Sequence, residues 1–117
     1  MKLFDSELKV MEVLWKEGDL SAGQLAKILT EQTGWNRNTT YTVIKKLVQK
    51  GAIQRSEPGF LCRALVPREA IQQQEAADLI DKLFDGSAEL FFSAYLHSGK
   101  LSQSEINRLK QLMDTLQ

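Results

Sequence analysis

The stretch of residues 35–51 carries the side chains whose types and spacing most clearly suggest a chemistry. It opens with an asparagine suited to a helix N-cap and closes with a glycine suited to a helix C-terminus. At helical spacing one face is apolar, whereas the opposite face holds basic, amide and hydroxyl groups without a carboxylate. Such groups bind phosphates and base edges, so the pattern favours a helix that lies in a DNA groove. The polar face comprises Arg37, Asn38, Tyr41, Thr42, Lys45 and Gln49, with Lys46 at its edge.

The charge distribution supports this interpretation, although a few cations on a helix also occur on an ordinary solvated face. Formal net charge is zero, but residues 1–66 hold ten Lys and Arg against seven Asp and Glu, whereas residues 67–117 hold five against eight. Within residues 37–63, Glu57 is the sole acid among six basic residues. Positive charge is therefore concentrated around the candidate groove helix. The six are Arg37, Lys45, Lys46, Lys50, Arg55 and Arg63.

Two amphipathic helices are predicted before the groove helix. The first begins after Asp5 or Ser6 and ends near Gly18. The second is opened by a capping box, in which Ser21 is the cap and Gln24 follows three residues later. Two helices, a tight turn and a polar-faced third helix are the arrangement of a helix-turn-helix unit.

A change to strand periodicity follows the groove helix. Residues 52–55 and 60–66 suit strands, and residues 56–59 form a hairpin turn sequence. A hairpin directly behind a groove helix makes a winged helix. Arg55 and Arg63 flank the turn and are candidates for phosphate contacts, with two solvated arginines as an equally open alternative. Cys62 lies among apolar neighbours and is predicted to be a buried strand thiol.

The second half of the chain is predicted to be helical and to drive dimerisation. Amphipathic helices are expected over residues 68–85, around 90–96 and after a second capping box, Ser102 with Glu105. About fifty residues of this kind do not easily bury so much apolar surface alone, so burial against a second copy is favoured over folding back on the winged helix. The predicted dimerisation residues are Leu79, Leu83, Phe91, Phe92, Tyr95, Ile106, Leu109, Leu112, Met113 and Leu116.

The predicted fold is therefore mainly α. A winged helix-turn-helix with a small β-hairpin wing occupies residues 1–66, and a helical dimerisation region occupies residues 67–117. The lone cysteine excludes an internal disulfide and a cysteine-cluster metal site. No apolar run approaches the roughly 18 residues of a membrane span, and no signal sequence opens the chain, so a cytoplasmic protein without a membrane partner is expected.

Little in the sequence suggests an enzyme. His97, the single histidine, lies in a polar break and is better explained as a solvated or capping residue. Asp78 and Asp81 fall on the outer face of an amphipathic helix, where solvation explains them. A glycine-rich phosphate loop and metal-ligand spacing are both missing. No catalytic residue, metal site or cofactor is predicted.

Three motifs resemble those of the penicillinase and methicillin-resistance repressor family (BlaI/MecI/CopY), and the likeness covers nearly the full length. Residues 8–15, LKVMEVLW, look like the family's first-helix pattern E-x-x-V-M-x-x-x-W. Residues 35–47, WNRNTTYTVIKKL, followed by Lys50 and Gly51, resemble its recognition helix. Residues 101–106, LSQSEI, look like its C-terminal L-S-x-x-E-(I/L). The order and spacing of the three motifs make the resemblance specific.

This resemblance implies a dimeric winged-helix repressor bound to double-stranded DNA at an operator with dyad symmetry. In the family the DNA-contacting segment corresponds to Arg37, Asn38, Thr39, Tyr41 and Thr42, and the wing to Arg63. By chemistry, Asn38, Thr39 and Thr42 are candidates for base edges and nearby phosphates. Tyr41 is a candidate for a thymine methyl or a phosphate. The phosphate candidates are Arg37, Lys45, Lys46, Arg55 and Arg63.

Two departures from the family bear on induction, which is expected to act through loss of DNA binding. The paired C-terminal cysteines of the copper-responsive branch are missing here, which argues against copper sensing. Ala94 and Tyr95 stand where the β-lactam branch has a cleavable Asn-Phe bond, so a protease needing Asn is expected to ignore this chain. A sensor or another protease that inactivates the repressor stays open as a further partner.

Two other non-enzymatic functions also stay open. One is a winged helix that binds protein through the hairpin or the last helices. The other is a ligand-sensing regulator whose pocket is lined by Phe91, Phe92 and Tyr95, although aromatic residues at this spacing are more often dimer core.

Overall fold

The computed structural model describes residues 1–116, which form two compact units. The first unit comprises residues 1–75 and the second begins at residue 76, so the division falls within the fourth helix. In chain order the elements are α1 (Asp5–Glu17), β1 (Leu20–Ser21), α2 (Ala22–Thr33), α3 (Arg37–Lys50), β2 (Ile53–Ser56), β3 (Leu61–Ala64), α4 (Arg68–Leu83), α5 (Ala88–Leu96) and α6 (Gln103–Asp114).

The predicted capping boxes set the starts of two helices. At α2 the Ser21 hydroxyl accepts a hydrogen bond from the Gln24 backbone at 3.1 Å, and the Gln24 side chain accepts one from the Ser21 backbone at 2.9 Å. Ser102 and Glu105 make the same reciprocal pair at α6, with both distances 3.1 Å. These bonds satisfy backbone N–H groups that a helix start otherwise leaves without partners.

The core of the first unit lies where α1, α2 and α3 meet the sheet. Each helix contributes an apolar stripe at helical spacing, as the sequence predicts. The half-buried indole of Trp35 packs against this core from the segment before α3. The central buried residues are Val10, Met11, Leu14, Leu25, Leu29, Val43, Ile44, Leu47, Ile53 and Cys62.

The sheet has three antiparallel strands in the order β1-β3-β2. β1, which the sequence analysis did not predict, pairs Leu20 with Cys62 and Ser21 with Leu61. β2 is shifted by one residue from the predicted 52–55, and β3 is shorter than the predicted 60–66 at both ends. Phe60 belongs to the turn because its φ of +51° takes the backbone out of the extended region. Cys62 is fully buried as predicted, and burial raises the pKa of its thiol to about 11.

A buried ion pair links the first helix to the end of α3. The Glu7 carboxylate is 1% exposed, and its Oε1 accepts hydrogen bonds from Lys50 Nζ at 2.6 Å and from the Phe4 backbone at 2.8 Å. Lys50 Nζ also donates to the Lys2 carbonyl at 3.0 Å. Lys50 is thus directed towards the protein core, although the charge count places it with the basic residues around the groove helix.

The second unit exposes much of its apolar surface. Among the described residues of α5 and α6 none is fully buried, and Leu83, Phe92, Leu112 and Met113 are all at least half exposed. An aromatic cluster joins the start of this region to α5, with Phe91 lying 5.4 Å from Phe84 and 6.0 Å from Tyr95 between ring centroids. Of the helices in residues 1–116, none has the length and apolarity to cross a membrane.

We expect Lys50→Met to lower the free energy of unfolding by about 1–3 kcal/mol, because it leaves the buried Glu7 carboxylate without its counter-charge. Urea denaturation measures the change. Lys46→Met, on the exposed side of the same helix, is the matched control and should stay within about 0.5 kcal/mol of the parent. Equal effects of the two variants would contradict a structural role for the pair.

Candidate nucleic-acid interface

The rotation of α3 about its own axis determines which side chains it presents. Thr40, Val43, Ile44 and Leu47 are buried, so the opposite side of the helix faces outward. The structure places all the predicted contact residues of this helix outside the core: Arg37, Asn38, Thr39, Thr42, Lys45 and Lys46 are exposed and Tyr41 is half-buried. Gln49 is exposed on the same side.

The first turn of α3 is organised by its N-cap. Asn36 Oδ1 accepts hydrogen bonds from the Thr39 backbone at 2.8 Å and from the Thr39 hydroxyl at 3.0 Å. The Thr42 hydroxyl donates to the Asn38 carbonyl at 2.9 Å. Both threonine hydroxyls therefore use their hydrogens within the helix and present acceptor lone pairs outward, which suits an amino group on a base edge.

Asn38 is the exposed amide of this turn. Within residues 1–116 its side chain has no hydrogen-bond partner. It therefore keeps both its carbonyl acceptor and its amino donor available, which is the combination that pairs with the N6 and N7 atoms of adenine.

The positive charges on this face are not neutralised by the protein. The ion pairs within residues 1–116 are Lys50–Glu7, Arg55–Glu57 and Arg68–Glu12, so none involves Arg37, Lys45 or Lys46. A surface that carries cations without counter-charges attracts a polyanion and releases counterions when it binds one.

Arg37 and Tyr41 form one polar unit on this helix. The Tyr41 oxygen accepts hydrogen bonds from Arg37 Nε at 3.1 Å and from Arg37 Nη2 at 2.8 Å. The guanidinium carbon lies 5.2 Å from the centroid of the tyrosine ring. One turn of helix separates the two residues, so the contact arises from their spacing in the sequence.

The register of the wing separates its two predicted arginines. Arg55 lies opposite Cys62 and Arg63 lies opposite Gln54, and because adjacent strand positions alternate, the two arginines project from opposite faces. Arg55 is engaged with the protein, since its Nη2 lies 3.0 Å from Glu57 Oε1. Arg63 is exposed, and no carboxylate of residues 1–116 pairs with it.

Two residues of the turn, Glu57 and Phe60, belong to this region although the sequence analysis did not select them. The Phe60 ring lies 5.9 Å from the Tyr41 ring and 3.6 Å from the Arg55 guanidinium carbon. Glu57 accepts a hydrogen bond from the Phe60 backbone at 3.2 Å. That bond, and then the Arg55 guanidinium, lower the pKa of Glu57, so this carboxylate is ionised near neutral pH. The sequence signal that could have identified Phe60 as a site residue is an aromatic side chain directly after the Pro-Gly turn.

The remaining candidates for chemistry occupy structural positions. His97 is the C-cap of α5, with Nδ1 2.7 Å from the Ser93 carbonyl, as the capping interpretation predicts. No group of three or more metal-ligating side chains occurs in residues 1–116. The residues predicted for dimerisation include several that line a cavity of about 400 Å³ between α5 and α6, among them Phe91, Phe92, Tyr95, Leu109 and Leu112.

Comparison with known proteins finds the same type of relative over nearly the whole chain. A family model described as penicillinase repressor matches residues 3–115. The penicillinase repressor of Bacillus licheniformis is 24% identical over 115 residues, which are 97% of this chain and 90% of that protein. The methicillin resistance regulatory protein MecI of Staphylococcus aureus strain N315 is 25% identical over 115 residues, with 97% and 94% covered.

Two solved structures resemble the first part of the chain. The DNA-binding domain of the repressor BlaI has a TM-score of 0.54 and 28% identity, and the match covers 57% of this chain and 84% of that domain. The monomeric form of Bacillus licheniformis BlaI in complex with the blaP half-operator has a TM-score of 0.53 and 27% identity, with 59% and 87% covered. These likenesses confirm the predicted winged-helix fold.

Asn36→Ala should lower the free energy of unfolding by about 1 kcal/mol, because it removes the side-chain acceptor for the Thr39 backbone at the start of α3. Chemical denaturation followed by circular dichroism measures the loss. Asn38→Ala makes the same replacement two residues later, where the side chain has no partner among the described residues, and should not destabilise the protein. A loss of similar size in both variants would show that the cap does not stabilise this helix.

Proposed function

The chain belongs to the penicillinase repressor family, and on this premise we propose that it is a transcriptional repressor that binds double-stranded operator DNA sequence-specifically as a homodimer. The observation that carries the proposal is the exposed face of α3, which presents amide, hydroxyl and uncompensated basic groups and contains no carboxylate. An α-helix with such a face fits the major groove, where base edges and phosphates are both within reach.

The proposed contacts divide according to side-chain chemistry. Asn38, Thr39 and Thr42 lie in the first turns of α3 and are assigned to base edges. Arg37, Lys45 and Lys46 are assigned to phosphates because a cation on a flexible stem reaches the backbone on either side of the groove. Arg63 is assigned to phosphate from the wing, and it is a better candidate than Arg55, whose guanidinium is paired with Glu57.

The homodimer is proposed from the apolar surface of the second unit. Leu83, Phe92, Leu112 and Met113 are each at least half exposed in the single chain, and their contact with water is unfavourable. A two-fold interface made by these helices covers the surface on both copies at once. A two-fold dimer also matches an operator with dyad symmetry, since each winged helix then reads one half-site. Such a repressor acts in the cytoplasm, where the DNA is.

A ligand-sensing regulator is the second candidate function, and the cavity between α5 and α6 is the observation that favours it. Its lining overlaps the predicted dimerisation residues, so a bound small molecule would compete with the dimer or reshape it. In either case we propose that induction acts through loss of DNA binding. Ala94 and Tyr95 are exposed within α5 of the single chain, so a sensor or a protease also has access to this helix when the dimer is not formed.

The function is tested by a gel-shift titration on the DNA upstream of the protein's own gene, at two salt concentrations and with unrelated competitor DNA. A discrete complex that resists the competitor and weakens as salt rises is expected, because phosphate contacts release counterions. A complex with a partner protein that is insensitive to salt, together with no shift of any DNA, would favour the protein-binding alternative instead.

Substitutions on α3 should separate the two classes of contact. Lys45→Ala is expected to weaken binding to operator and unrelated DNA about equally and to reduce the salt slope by roughly one, because Lys45 is exposed and has no ion-pair partner among the described residues. Asn38→Ala is expected to cost about 1–3 kcal/mol at the operator and little elsewhere. Binding constants for the two DNAs over a salt series measure both effects. The division of roles fails if both variants lose operator and unrelated binding in the same ratio.

Leu112→Glu is expected to convert the dimer to a monomer that binds the operator far more weakly, because it places a charge in the proposed interface. Sedimentation velocity and gel shifts measure the two properties. Lys110→Glu introduces the same carboxylate at an exposed polar position two residues earlier in α6 and should stay dimeric. An intact dimer with Leu112→Glu would move the interface elsewhere.

A further inference from the structure

Phe60 adopts a backbone conformation that its side chain does not favour. Its φ is +51°, in the left-handed region, and Asp85 is the one other non-glycine residue of residues 1–116 with a positive φ. A bulky residue in this region is strained and persists only where surrounding contacts require it. The contacts of Phe60 therefore indicate which neighbouring residues hold it in this conformation.

Those contacts connect the wing to the recognition helix. The Phe60 ring lies 5.9 Å from the Tyr41 ring with a tilt of 46°. The Arg55 guanidinium carbon lies 3.6 Å from the centroid of the Phe60 ring, and Arg55 is paired with Glu57, which also accepts a hydrogen bond from the Phe60 N–H. The Phe60 ring therefore contacts both a cation of the wing and Tyr41 of α3.

The hydrogen bonds of Tyr41 determine whether its hydroxyl can donate to DNA or accept from it. Its phenol oxygen accepts two hydrogen bonds from Arg37, at 3.1 and 2.8 Å. Within residues 1–116 its own O–H hydrogen meets no acceptor. With the acceptor side of the oxygen occupied by a cation, Tyr41 is left as a hydrogen-bond donor at the exposed polar face of α3.

We propose that Phe60 is a positioning residue for operator recognition, and that it holds Tyr41 so that the Tyr41 hydroxyl donates to an acceptor on a base edge. The major-groove acceptors are N7 and O6 of guanine, N7 of adenine and O4 of thymine, so the contact disfavours cytosine, which presents only a donor, at one position of each half-site. This inference rests on the proposed function and adds to it a specificity element built from the wing and α3 together.

The experiment selects bound sequences from a pool of random DNA duplexes, using the full-length protein and its variants. Tyr41→Phe removes the hydroxyl but keeps the ring. Phe60→Leu keeps an apolar side chain and a similar backbone strain but loses the flat ring that contacts Tyr41 and Arg55. Phe60→Tyr retains that ring and is the matched control. Affinities of the parent, these three variants and the Tyr41→Phe/Phe60→Leu double variant are then measured for the duplex that the parent selects and for an unrelated duplex.

The proposal predicts that Tyr41→Phe and Phe60→Leu lose base preference at the same base pair of the half-site. Each should weaken binding to the selected duplex about tenfold and leave binding to unrelated DNA unchanged. The double variant should be no weaker than either single variant, because both remove the same contact. Phe60→Tyr should keep the parent's preference.

Other outcomes would overturn the proposal in distinguishable ways. If Tyr41→Phe weakens binding to both duplexes equally, the hydroxyl binds a phosphate and not a base. If Phe60→Leu keeps the parent's preference, or if the two effects add, Phe60 does not position Tyr41. Should Phe60→Leu prove unfolded by circular dichroism, the Tyr41→Phe result still decides whether a base is read. A parent that selects no sequence refutes the proposed function itself.

Discussion

The burial of one side of α3 is the constraint on which the rest of this structure depends. Val43, Ile44 and Leu47 pack into the core of the first unit, and each such side chain contributes roughly 1.5–3 kcal/mol when it is removed from water. Successive helix residues are rotated by about 100°, so a one-residue slip would expose part of this stripe and bury polar groups. The same packing that stabilises the fold therefore fixes the side chains that α3 presents outward.

The cations of residues 37–68 fall into two groups, which differ in whether they are paired with a carboxylate of the chain. Lys50, Arg55 and Arg68 are each paired with a carboxylate of the chain, and the partner of Lys50 is the buried Glu7. The second group has no such partner among the described residues and lies on the exposed side of α3 and on the wing. It comprises Arg37, Lys45, Lys46 and Arg63.

Most of the winged helix was predictable from the sequence because its signals are local. The Ser21 capping box and the Asn36 cap are each complete within four residues, and the apolar stripe of α3 follows a clear helical period. β1 was missed because two residues carry no period and this strand exists through its pairing with β3. The predicted strand 60–66 was wrong at both ends, because Phe60 has a positive φ and β3 ends at Ala64.

The parts of the candidate interface that escaped prediction depend on contacts between distant segments. Lys50 was counted with the groove cations, but its partner Glu7 lies in α1, 43 residues earlier. The contact of Phe60 with Tyr41 joins the turn to the middle of α3, and no spacing within either segment indicates it. The register of β2 and β3 places Arg55 and Arg63 on opposite faces of the sheet. This register depends on how the two strands pair, which the sequence of neither strand specifies.

The central claim is that the exposed face of α3 and the wing form the DNA-binding surface. An NMR titration of the ¹⁵N-labelled full-length protein with the duplex upstream of its own gene tests it most directly. The account predicts that amide signals of Asn38, Thr42 and Gln49 and of the strand around Arg63 change, whereas those within α6 change little. Changes centred on α5 and α6, with the signals of α3 unaffected, would contradict it.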